Sequence, residues 1–483
     1  MRGGNRDGAP QNAASAVRQR AGGARAAGSP WAVLVVMCAG YFLVLLDVTI
    51  VNVALPQIGA GLRAGVSGLQ WVVDGYALAL ASLMLAGGTA GDLRGHKRIV
   101  LAGLAVFGAG SLGCALAPGL GTLVAARVIQ GLGAALLLPG TLAVISRAFG
   151  SGPAQARAIG IWAGIGSLAL PAGPLLGGAL ITAFGWRAVF GVNVPIVLLA
   201  IAGTAMVVRE SASPAGRRLD VRGVTLGGTS LFAVTFAFID GGRPGAAPAV
   251  IVSAVAAALL LAAFVLAERR QGDAAMLPLG LFRRPAFCVA NGAAWAMNLG
   301  TLGTLFVLTL FLQSVQHRTA LAAGLELIPL FAPLAALAPL AGRLTSRAGP
   351  RLPMAGGLVT AAAGLALLLF AAPGSGYVTL LPAFLLWGTG LGILTPAVVT
   401  AAIAAVSRDR AGMASAVNNT ARQAGGAIGI AVAGAVTGQP DSPGFVGGFH
   451  VVAAGAACLY LAAAAAAIAL IGGRSGAGGH PPR

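Results

Sequence analysis

Charge is scarce in this sequence. Of its 483 residues 9% are charged, and Lys97 is the single lysine. In soluble domains about a quarter of the residues are charged, whereas 57% of this chain is apolar. The composition therefore excludes an ordinary soluble domain and predicts an integral membrane protein.

Cysteine and histidine are also rare, with four residues of each. No CxxC pair, zinc-type Cys/His spacing or HExxH motif occurs, so neither a disulfide framework nor a metal site is predicted. A GxxxxGK[ST] loop and a GxSxG motif in a suitable context are missing too, which argues against direct use of ATP and against a membrane enzyme. We expect no cofactor and no enzymatic activity. The four cysteines all fall inside apolar segments, at Cys38, Cys114, Cys288 and Cys458.

The apolar residues form long runs. Fourteen stretches have the length of a membrane span, which predicts an all-α polytopic membrane protein with 14 transmembrane helices. The stretches are 31–53, 68–90, 99–117, 121–145, 159–183, 188–208, 223–239, 249–267, 286–312, 321–341, 352–372, 379–402, 412–436 and 446–472.

The basic residues behind the net charge of +19 lie mainly in one set of connections between the spans and so indicate the topology of the chain. Twenty-five of the 31 basic residues fall in the two tails and in alternate connections, and four fall in the other connections. Since basic residues collect on the cytoplasmic side, both termini are expected in the cytoplasm of a bacterium, with the chain crossing the inner membrane many times. The basic residues are not gathered on one domain, so nucleic acid is not an expected partner. Residues 1–30 and 473–483 are expected to be cytoplasmic tails, the first of them disordered.

An internal repeat divides the membrane region. GTAGDLRGHKR at 88–98 matches GRLTSRAGPR at 342–351, and QGLGAALLLP at 130–139 matches WGTGLGILTP at 387–396. The repeat predicts two six-helix halves, 31–208 and 286–472, with an inserted helix pair and its loops at 209–285. Parallel repeats of this kind are typical of transporters that bind substrate between halves which rock against each other.

Three ionisable residues lie in one layer of the first half. Asp47 is roughly 24 Å from the cytoplasmic start of its segment, and Arg127 and Asp74 are at a similar level. A charge at such depth costs at least about 2.5 kcal/mol and is a functional candidate. Burial favours the protonated form of a carboxyl group and a neighbouring arginine favours the ionised form, so the hypothesis is that Asp47 carries a proton and Arg127 controls its release. For Asp74 a structural ion pair or an interfacial charge remains an equal alternative.

Two glycine-containing motifs have structural as well as functional interpretations. The loop GDLRGHKR offers a tight turn and a basic cytoplasmic cluster, and a simple positive-inside turn is its alternative. The fifth segment is rich in glycine and contains a proline, which allows close packing and a bend; packing alone is the alternative there. The residues singled out are Gly88, Asp92, Gly95, Lys97 and Arg98 in the loop, and Gly173, Pro174, Gly177 and Gly178 in the segment.

Candidates for contact with a substrate are spread over both halves. Aromatic side chains in the spans either line a cavity by stacking or form interfacial belts and core. Polar side chains in the spans are predicted to face a cavity, because amides facing lipid are costly; Glu326 has an interfacial position as its alternative, and Arg422 is an unpaired candidate in segment 13. The set comprises Trp162, Gln130, Asn298, Gln313, Asn418, Asn419 and Glu326, with Trp71, Tyr76, Trp295, Phe306, Phe311 and Trp387 as further aromatic candidates.

Five ordered motifs resemble one known family. The loop at 88–98 is similar to the signature loop of the major facilitator superfamily, with His96 where arginine is usual. LDVTIVNVALP, RVIQGLGAA and PAGPLLGG, in segments 1, 4 and 5, resemble the segment-1, proton-coupling and antiporter motifs of its 14-helix drug:proton antiporters, and MASAVNNTARQAGGAIG resembles the same family. The resemblance covers residues from about 31 to 472. It implies a twelve-helix core with two extra central helices, a cytoplasmic gating role for the loop, and proton-coupled export.

The leading hypothesis is a proton-coupled antiporter that exports hydrophobic or cationic small molecules, such as drugs or antibiotics, by alternating access. The alternative within transport is a dedicated exporter of one metabolite, such as a siderophore, sugar, amino acid or natural product. A non-transporting membrane sensor would predict loss of the intramembrane acids, which this chain keeps. The expected partners are the lipid bilayer, protons and a small-molecule substrate, and the protein is expected to be monomeric.

Overall fold

The computed structural model describes residues 29–150, 152–210, 220–241, 247–272, 279–406 and 411–471. The predicted tails lie outside these ranges, apart from residues 29 and 30. Within them the chain is helical, without strands. The sixteen α-helices are α1 Pro30–Leu62, α2 Val66–Arg94, α3 His96–Ala115, α4 Leu120–Phe149, α5 Pro153–Phe184, α6 Ala188–Gly191, α7 Asn193–Val207, α8 Val221–Gly241, α9 Ala247–Gln271, α10 Pro285–Leu310, α11 Ala320–Glu326, α12 Ile328–Ala348, α13 Arg351–Leu367, α14 Tyr377–Ala404, α15 Ala411–Thr437 and α16 Phe445–Leu470.

The predicted polytopic helical fold is confirmed. Thirteen helical units of the described chain are long and apolar enough to cross a membrane; α6 with α7 and α11 with α12 each form one of these units. The fourteenth long helix is α15, which covers the predicted segment 412–436 and is less apolar because it contains Arg422 and Gln423. Each of the fourteen predicted segments therefore corresponds to a long helix or to a pair of consecutive helices.

Several helices extend past the predicted spans. Helix α1 continues beyond the predicted end at 53 to Leu62, through Pro56 inside the helix. It ends at Arg63, which adopts the left-handed conformation while its backbone N–H bonds the carbonyl of Gly59. Hydropathy detects only the part of a helix that is in hydrocarbon, so these extensions are invisible to it.

Glycines bring the helices of the first repeat into close contact, and the second repeat uses the same positions. Gly131 on α4 presses against the carbonyl of Tyr76 on α2, and Gly388 on α14 presses against the carbonyl of Leu330 on α12. In both places a side chain would collide with backbone, which cannot move aside. The sequence repeat thus marks equivalent helix contacts.

The second glycine of each motif repeats in the same way. A Cβ placed on Gly133 would lie 2.7 Å from Cα of Phe107 on α3. A Cβ placed on Gly390 would lie 2.7 Å from Cα of Ala361 on α13. Close approach of this kind is the role of small residues between membrane helices.

The two predicted halves touch near the ends that are predicted to face outward. The amide of Gln313, just after α10, donates to the carbonyl of Val53 on α1 at 3.0 Å. The amide of Gln70 on α2 donates to the carbonyls of Ile430 and Ala431 on α15 at 2.9 and 2.8 Å. These contacts hold α1 and α2 against α10 and α15 on the outer side of Asp47.

Candidate functional site

Asp47 lies inside the helix bundle, with an exposed fraction of 0%. Helix α1 is apolar on all sides of this residue, and Leu46 and Ile50 beside it are also buried. An apolar helix of this kind is stable only when it is enclosed by lipid or by other helices. The carboxylate is therefore held away from water in the described arrangement.

The partner of Asp47 is Arg127 on α4. Nη1 of Arg127 lies 2.5 Å from Oδ2 of Asp47, and the arginine side chain is 1% exposed. A charge-assisted bond at this distance is strong, and removing either partner would leave an uncompensated buried charge. The structure thus places together two of the three ionisable residues that the sequence singled out.

Gln130 completes the site from the next turn of α4. Its Nε2 donates to Oδ1 of Asp47 at 2.7 Å and to Oγ of Ser111 on α3 at 2.9 Å. Its Oε1 accepts a 2.6 Å bond from Nη1 of Arg127. The sequence analysis assigned Gln130 to the substrate cavity, whereas here it contacts the carboxylate directly and is fully buried. Both oxygens of Asp47 consequently have a donor.

Backbone and aromatic groups fix the guanidinium of Arg127. Its Nε donates to the carbonyl of Val72 on α2 at 2.9 Å. The guanidinium carbon is 4.3 Å from the ring centroid of Tyr76 and 5.8 Å from that of Phe190. Cation–π contact favours a cation at such positions. The arginine is held by α2 and α6, so its distance to Asp47 depends on how α1 lies against these helices.

Asp74 is close by along α2 but takes no part in this network. It is 0% exposed, and neither carboxylate oxygen has a hydrogen-bond partner within the described part of the chain. On α2 it lies on the same face as Gln70, one turn away, and Gln70 bonds α15. Leu78, one turn further, packs in a cluster with Ala427 of α15. Asp74 therefore lies at the contact between the two predicted halves. The depth estimated from the sequence did not distinguish this placement from that of Asp47.

The prediction that 88–98 forms a loop is wrong: α2 runs to Arg94 and α3 begins at His96, so Gly95 alone joins the two helices. This junction contacts the segment at the end of α7. The backbone N–H of Lys97 donates to Oε1 of Glu210 at 3.2 Å, and Nε of Arg98 lies 3.5 Å from Oε2 of Glu210. Nζ of Lys97 donates to the carbonyl of Ala205 at 2.7 Å. Gly95 has a φ of 99° and lies against the Glu210 carboxylate. Sequence reasoning missed Glu210, although an acid that follows a span near a basic loop was a usable signal.

Two other candidates of this motif, Gly88 and Asp92, lie on α2 and have different outcomes. A Cβ on Gly88 would lie 3.6 Å from Pro139 on α4, which is an ordinary packing distance. The side chain of Asp92 lies outside the described part of the structure. The role of this motif in gating therefore stays a prediction.

The glycine motif of α5 packs on α1 directly beyond Asp47. A Cβ on Gly173 would lie 2.9 Å from the backbone nitrogen of Ile50 and would also collide with Thr49. A Cβ on Gly177 would lie 2.9 Å from Cγ1 of Ile50. The absence of side chains lets α5 lie in close contact with the segment that carries Asp47.

The same motif also reaches across to the second predicted half. A Cβ on Gly178 would lie 2.6 Å from Cα of Leu321 on α11. The carbonyl of Pro174 is in turn pressed against Gly324 of α11, where a side chain would collide with it. Helix α5 is thus packed between α1 and α11.

The remaining cavity candidates are dispersed. Trp162 stacks on Tyr41, and Gln313 bonds Val53 of α1. Oε1 of Glu326 lies 3.2 Å from Nε of Arg318 in an ion pair near the outer surface. Asn418 is buried and donates to Asn291 at 3.3 Å, which places it within helix packing. Asn298 is half-buried and Asn419 is exposed. Of the further aromatic candidates, four lie fully buried: Tyr76, Phe306, Phe311 and Trp387.

The sequence analysis missed two other contributors to this region. Ser111 on α3 accepts a bond from Gln130, and Tyr41 on α1 lies beside Trp162. Serine and tyrosine are common in membrane helices, so neither stands out until the helices are placed against one another.

Comparisons with known proteins identify relatives. A family model described as "Major Facilitator Superfamily" matches residues 37–430. "Multidrug resistance protein Stp" of Mycobacterium tuberculosis is 38% identical over 398 residues, which cover 82% of this chain and 74% of that protein. "Tetracenomycin C resistance and export protein" of Streptomyces glaucescens is 34% identical over 411 residues, which cover 84% of this chain and 76% of that protein.

The fold also matches solved structures. A crystal structure of the nucleoside transporter NupG aligns with a TM-score of 0.66 over 91% of this chain and 100% of that chain. The sequence identity is 12%, so the likeness concerns the arrangement of helices alone.

Proposed function

The chain belongs to the major facilitator superfamily of membrane transporters, and we propose that it exports hydrophobic or cationic small molecules in exchange for protons. The observation that carries this proposal is the enclosed network of Asp47, Arg127 and Gln130. A carboxylate in a dry, low-dielectric site responds strongly to the position of a neighbouring arginine. Separation of Asp47 from Arg127 would favour uptake of a proton, and their renewed contact would favour its release.

Helix α1 connects this network to movement of the whole protein. Thr49 and Ile50, within one turn of Asp47, pack on the glycines of α5. Val53, a further turn along, accepts the bond from Gln313 of the second predicted half. Arg127, by contrast, is held by α2 through Val72. Both helices belong to the same predicted half, so the coupling requires α1 to shift within that half when its contacts with Gln313 and α11 are released, and this shift changes the distance between Asp47 and Arg127.

We propose that residues 31–208 and 286–472 are the two halves that rock, with the helix pair of 209–285 inserted between them. The outer contacts of Gln70 and Gln313 support a state that is closed toward the outside. Opening of these contacts, with closure on the cytoplasmic side, would give the alternate state. In the proposed topology both termini are in the cytoplasm, and the protein acts as a monomer in the bacterial inner membrane.

Asp74 is proposed as a second proton site. It is buried at the contact with α15 and has no hydrogen-bond partner within the described residues. An unpaired buried charge is costly, so this position is suited to a group whose charge changes as the halves separate. The names of two relatives, a multidrug resistance protein and a resistance and export protein, support export of antibiotic-like molecules.

The experiment uses purified protein in liposomes with an imposed proton gradient. The substrates are a fluorescent lipophilic cation, such as ethidium, and a neutral hydrophobic dye. We expect gradient-driven movement by the native chain and its loss in Asp47→Asn. Asp441→Asn, which alters an exposed acid near the end of α15, serves as the control and should behave as the native chain does. Movement driven by the gradient in Asp47→Asn would show that another group carries the proton.

A dedicated exporter is the second candidate. One relative is named for a single compound, tetracenomycin C, which favours a narrow substrate range. The same liposomes distinguish the two candidates. A dedicated exporter would move one metabolite with the gradient and leave both dyes in place.

A further inference from the structure

Arg422 lies on the face of α15 that packs against α10. Asn418, one turn before it, bonds Asn291 of α10 at 3.3 Å. Gly425, one turn after it, is pressed against the backbone of Trp295. Residues three and four apart share a helix face. The guanidinium therefore emerges beside α10, inside the second predicted half.

The charge of Arg422 has no anionic partner within the described residues. Its Nε is enclosed and has no hydrogen-bond acceptor in the described part of the chain. The side chain is half-buried, and no ion pair joins it to an acid in the described part of the chain. The Tyr41 hydroxyl on α1 lies within electrostatic range of this guanidinium. Arg127, in comparison, is neutralised by Asp47. An uncompensated charge in the protein interior is costly, which indicates that another molecule supplies the anion.

Tyr41 belongs to an aromatic pair that joins α1 and α5. The rings of Tyr41 and Trp162 are stacked with centroids 3.9 Å apart and planes inclined by 18°. A Cβ on Gly166 would lie 2.8 Å from Cζ of Tyr41, so the tyrosine ring lies directly against α5. Nε1 of Trp162 is a buried donor that finds no acceptor among the residues that the structure describes. The pair offers a flat apolar surface and a second unused donor.

The three residues lie at one depth. Tyr41, Trp162 and Arg422 are each roughly 9–11 residues from the start of their helices, which is about 14–17 Å along the axis. All three helices are predicted to start on the cytoplasmic side, so the three residues lie at one level near the middle of a bilayer core of about 30 Å. Two of them belong to the first predicted half and one to the second. Substrate sites of such transporters lie near the midplane at the contact between halves.

We propose that Tyr41, Trp162 and Arg422, here named the Arg422 cluster, bind substrates that combine a planar conjugated body with an anionic group, such as a carboxylate or an acidic phenol. The body stacks against the aromatic pair, and the anionic oxygen accepts hydrogen bonds from the guanidinium. The cluster contains donors and a positive charge, and no carboxylate. The inference rests on the proposed export function and adds planar anions to its substrates, because the positive charge of Arg422 attracts an anion at this cluster.

The test is equilibrium binding to the full-length purified chain in detergent, without a proton gradient. Isothermal titration calorimetry compares three probes of matched size: 2-naphthoate, its uncharged methyl ester, and 2-naphthylmethylammonium. We expect the native chain to bind 2-naphthoate at least tenfold more tightly than either of the other probes. Equal affinities for the three probes, a preference for the cation, or no binding of any probe would overturn the proposal.

Substitutions show which residues are responsible for the preference for 2-naphthoate. Arg422→Gln should lower the affinity for 2-naphthoate at least tenfold and leave the ester unchanged, while Arg422→Lys should restore part of the preference. Arg343→Gln removes an exposed arginine of α12 and should bind all three probes as the native chain does. Trp162→Leu should weaken the naphthoate and the ester alike. A preference for naphthoate that survives Arg422→Gln would place the anion site elsewhere.

The binding test is independent of proton coupling. If gradient-driven transport proves independent of Asp47 while naphthoate binding depends on Arg422, only the proposed coupling fails. If transport depends on Asp47 and the three probes bind alike, only the Arg422 cluster fails. Size-exclusion profiles and thermal unfolding of each variant separate both results from misfolding.

Discussion

Gln130 donates a 2.7 Å hydrogen bond to Oδ1 of Asp47, and through its Oε1 it also accepts from the arginine that neutralises Asp47. The amide thus bridges acid and base in a site where all three side chains are buried. Because Ser111 takes its remaining donor, the amide has a fixed orientation. Asp47 is consequently positioned by the uncharged Gln130 as well as by Arg127. The contribution of Gln130 can be tested separately from that of the charge on Arg127.

Gln130→Leu should disturb proton coupling while Asp47 and Arg127 remain in place. Loss of the amide leaves buried groups unpaired, so we expect the free energy of unfolding to fall by about 1–3 kcal/mol. We also expect the pH dependence of transport to shift, because Oδ1 of Asp47 loses its donor. The measurement is transport in liposomes over a range of pH. Gln155→Leu is the matched control, since the amide of Gln155, near the start of α5, donates to the carbonyl of Ser146 on α4. An unshifted pH profile in Gln130→Leu would contradict the role assigned to Gln130.

Asp74→Asn tests the second proton site. Both oxygens of Asp74 lack partners within the described residues, and an unpaired charge is costly in such a site. A neutral amide should therefore fit, and we expect the unfolding free energy to change by less than about 1 kcal/mol. If Asp74 exchanges protons, the number of protons moved per substrate should fall. The measurement is proton flux and substrate flux in the same liposomes, and an unchanged ratio with unchanged rate would assign Asp74 to structure alone.

Gly178→Val should weaken closure on the outer side. Its side chain would meet the backbone of Ala320 and Leu321, and overpacking of this kind costs about 1–3 kcal/mol. Applied to the closed state alone, that cost changes the ratio of closed to open states roughly 5- to 150-fold. We expect faster decay of an imposed proton gradient without substrate. Gly160→Val, on the same helix, has open space at its Cβ and should keep the native rate; equal rates in the two variants would argue against a gate at Gly178.

Much of this architecture follows from sequence pattern. Hydropathy and the distribution of arginines indicate the spans, and every predicted span matches a long helix or a pair of consecutive helices. The repeated glycines, such as Gly133 and Gly390, occupy equivalent helix contacts, as their matching positions in the two repeats indicate. The rarity of charge inside a span also singles out Asp47 and Arg127. These inferences succeed because hydrocarbon imposes length and polarity on each helix separately.

Which side chains on different helices contact each other could be seen only in the tertiary structure. Asp47 and Asp74 lie at similar predicted depth, yet one contacts Arg127 and the other faces α15 without a partner among the described residues. Depth along a helix can be counted from its start, whereas the direction of a side chain toward a neighbour depends on how each helix is rotated and packed. For the same reason Tyr41 and Trp162 meet only in the folded chain. The sequence by itself determined the membrane spans, their repeat and the rare charges within them, and the packing of the helices decided which of those charges meets a partner among the described residues.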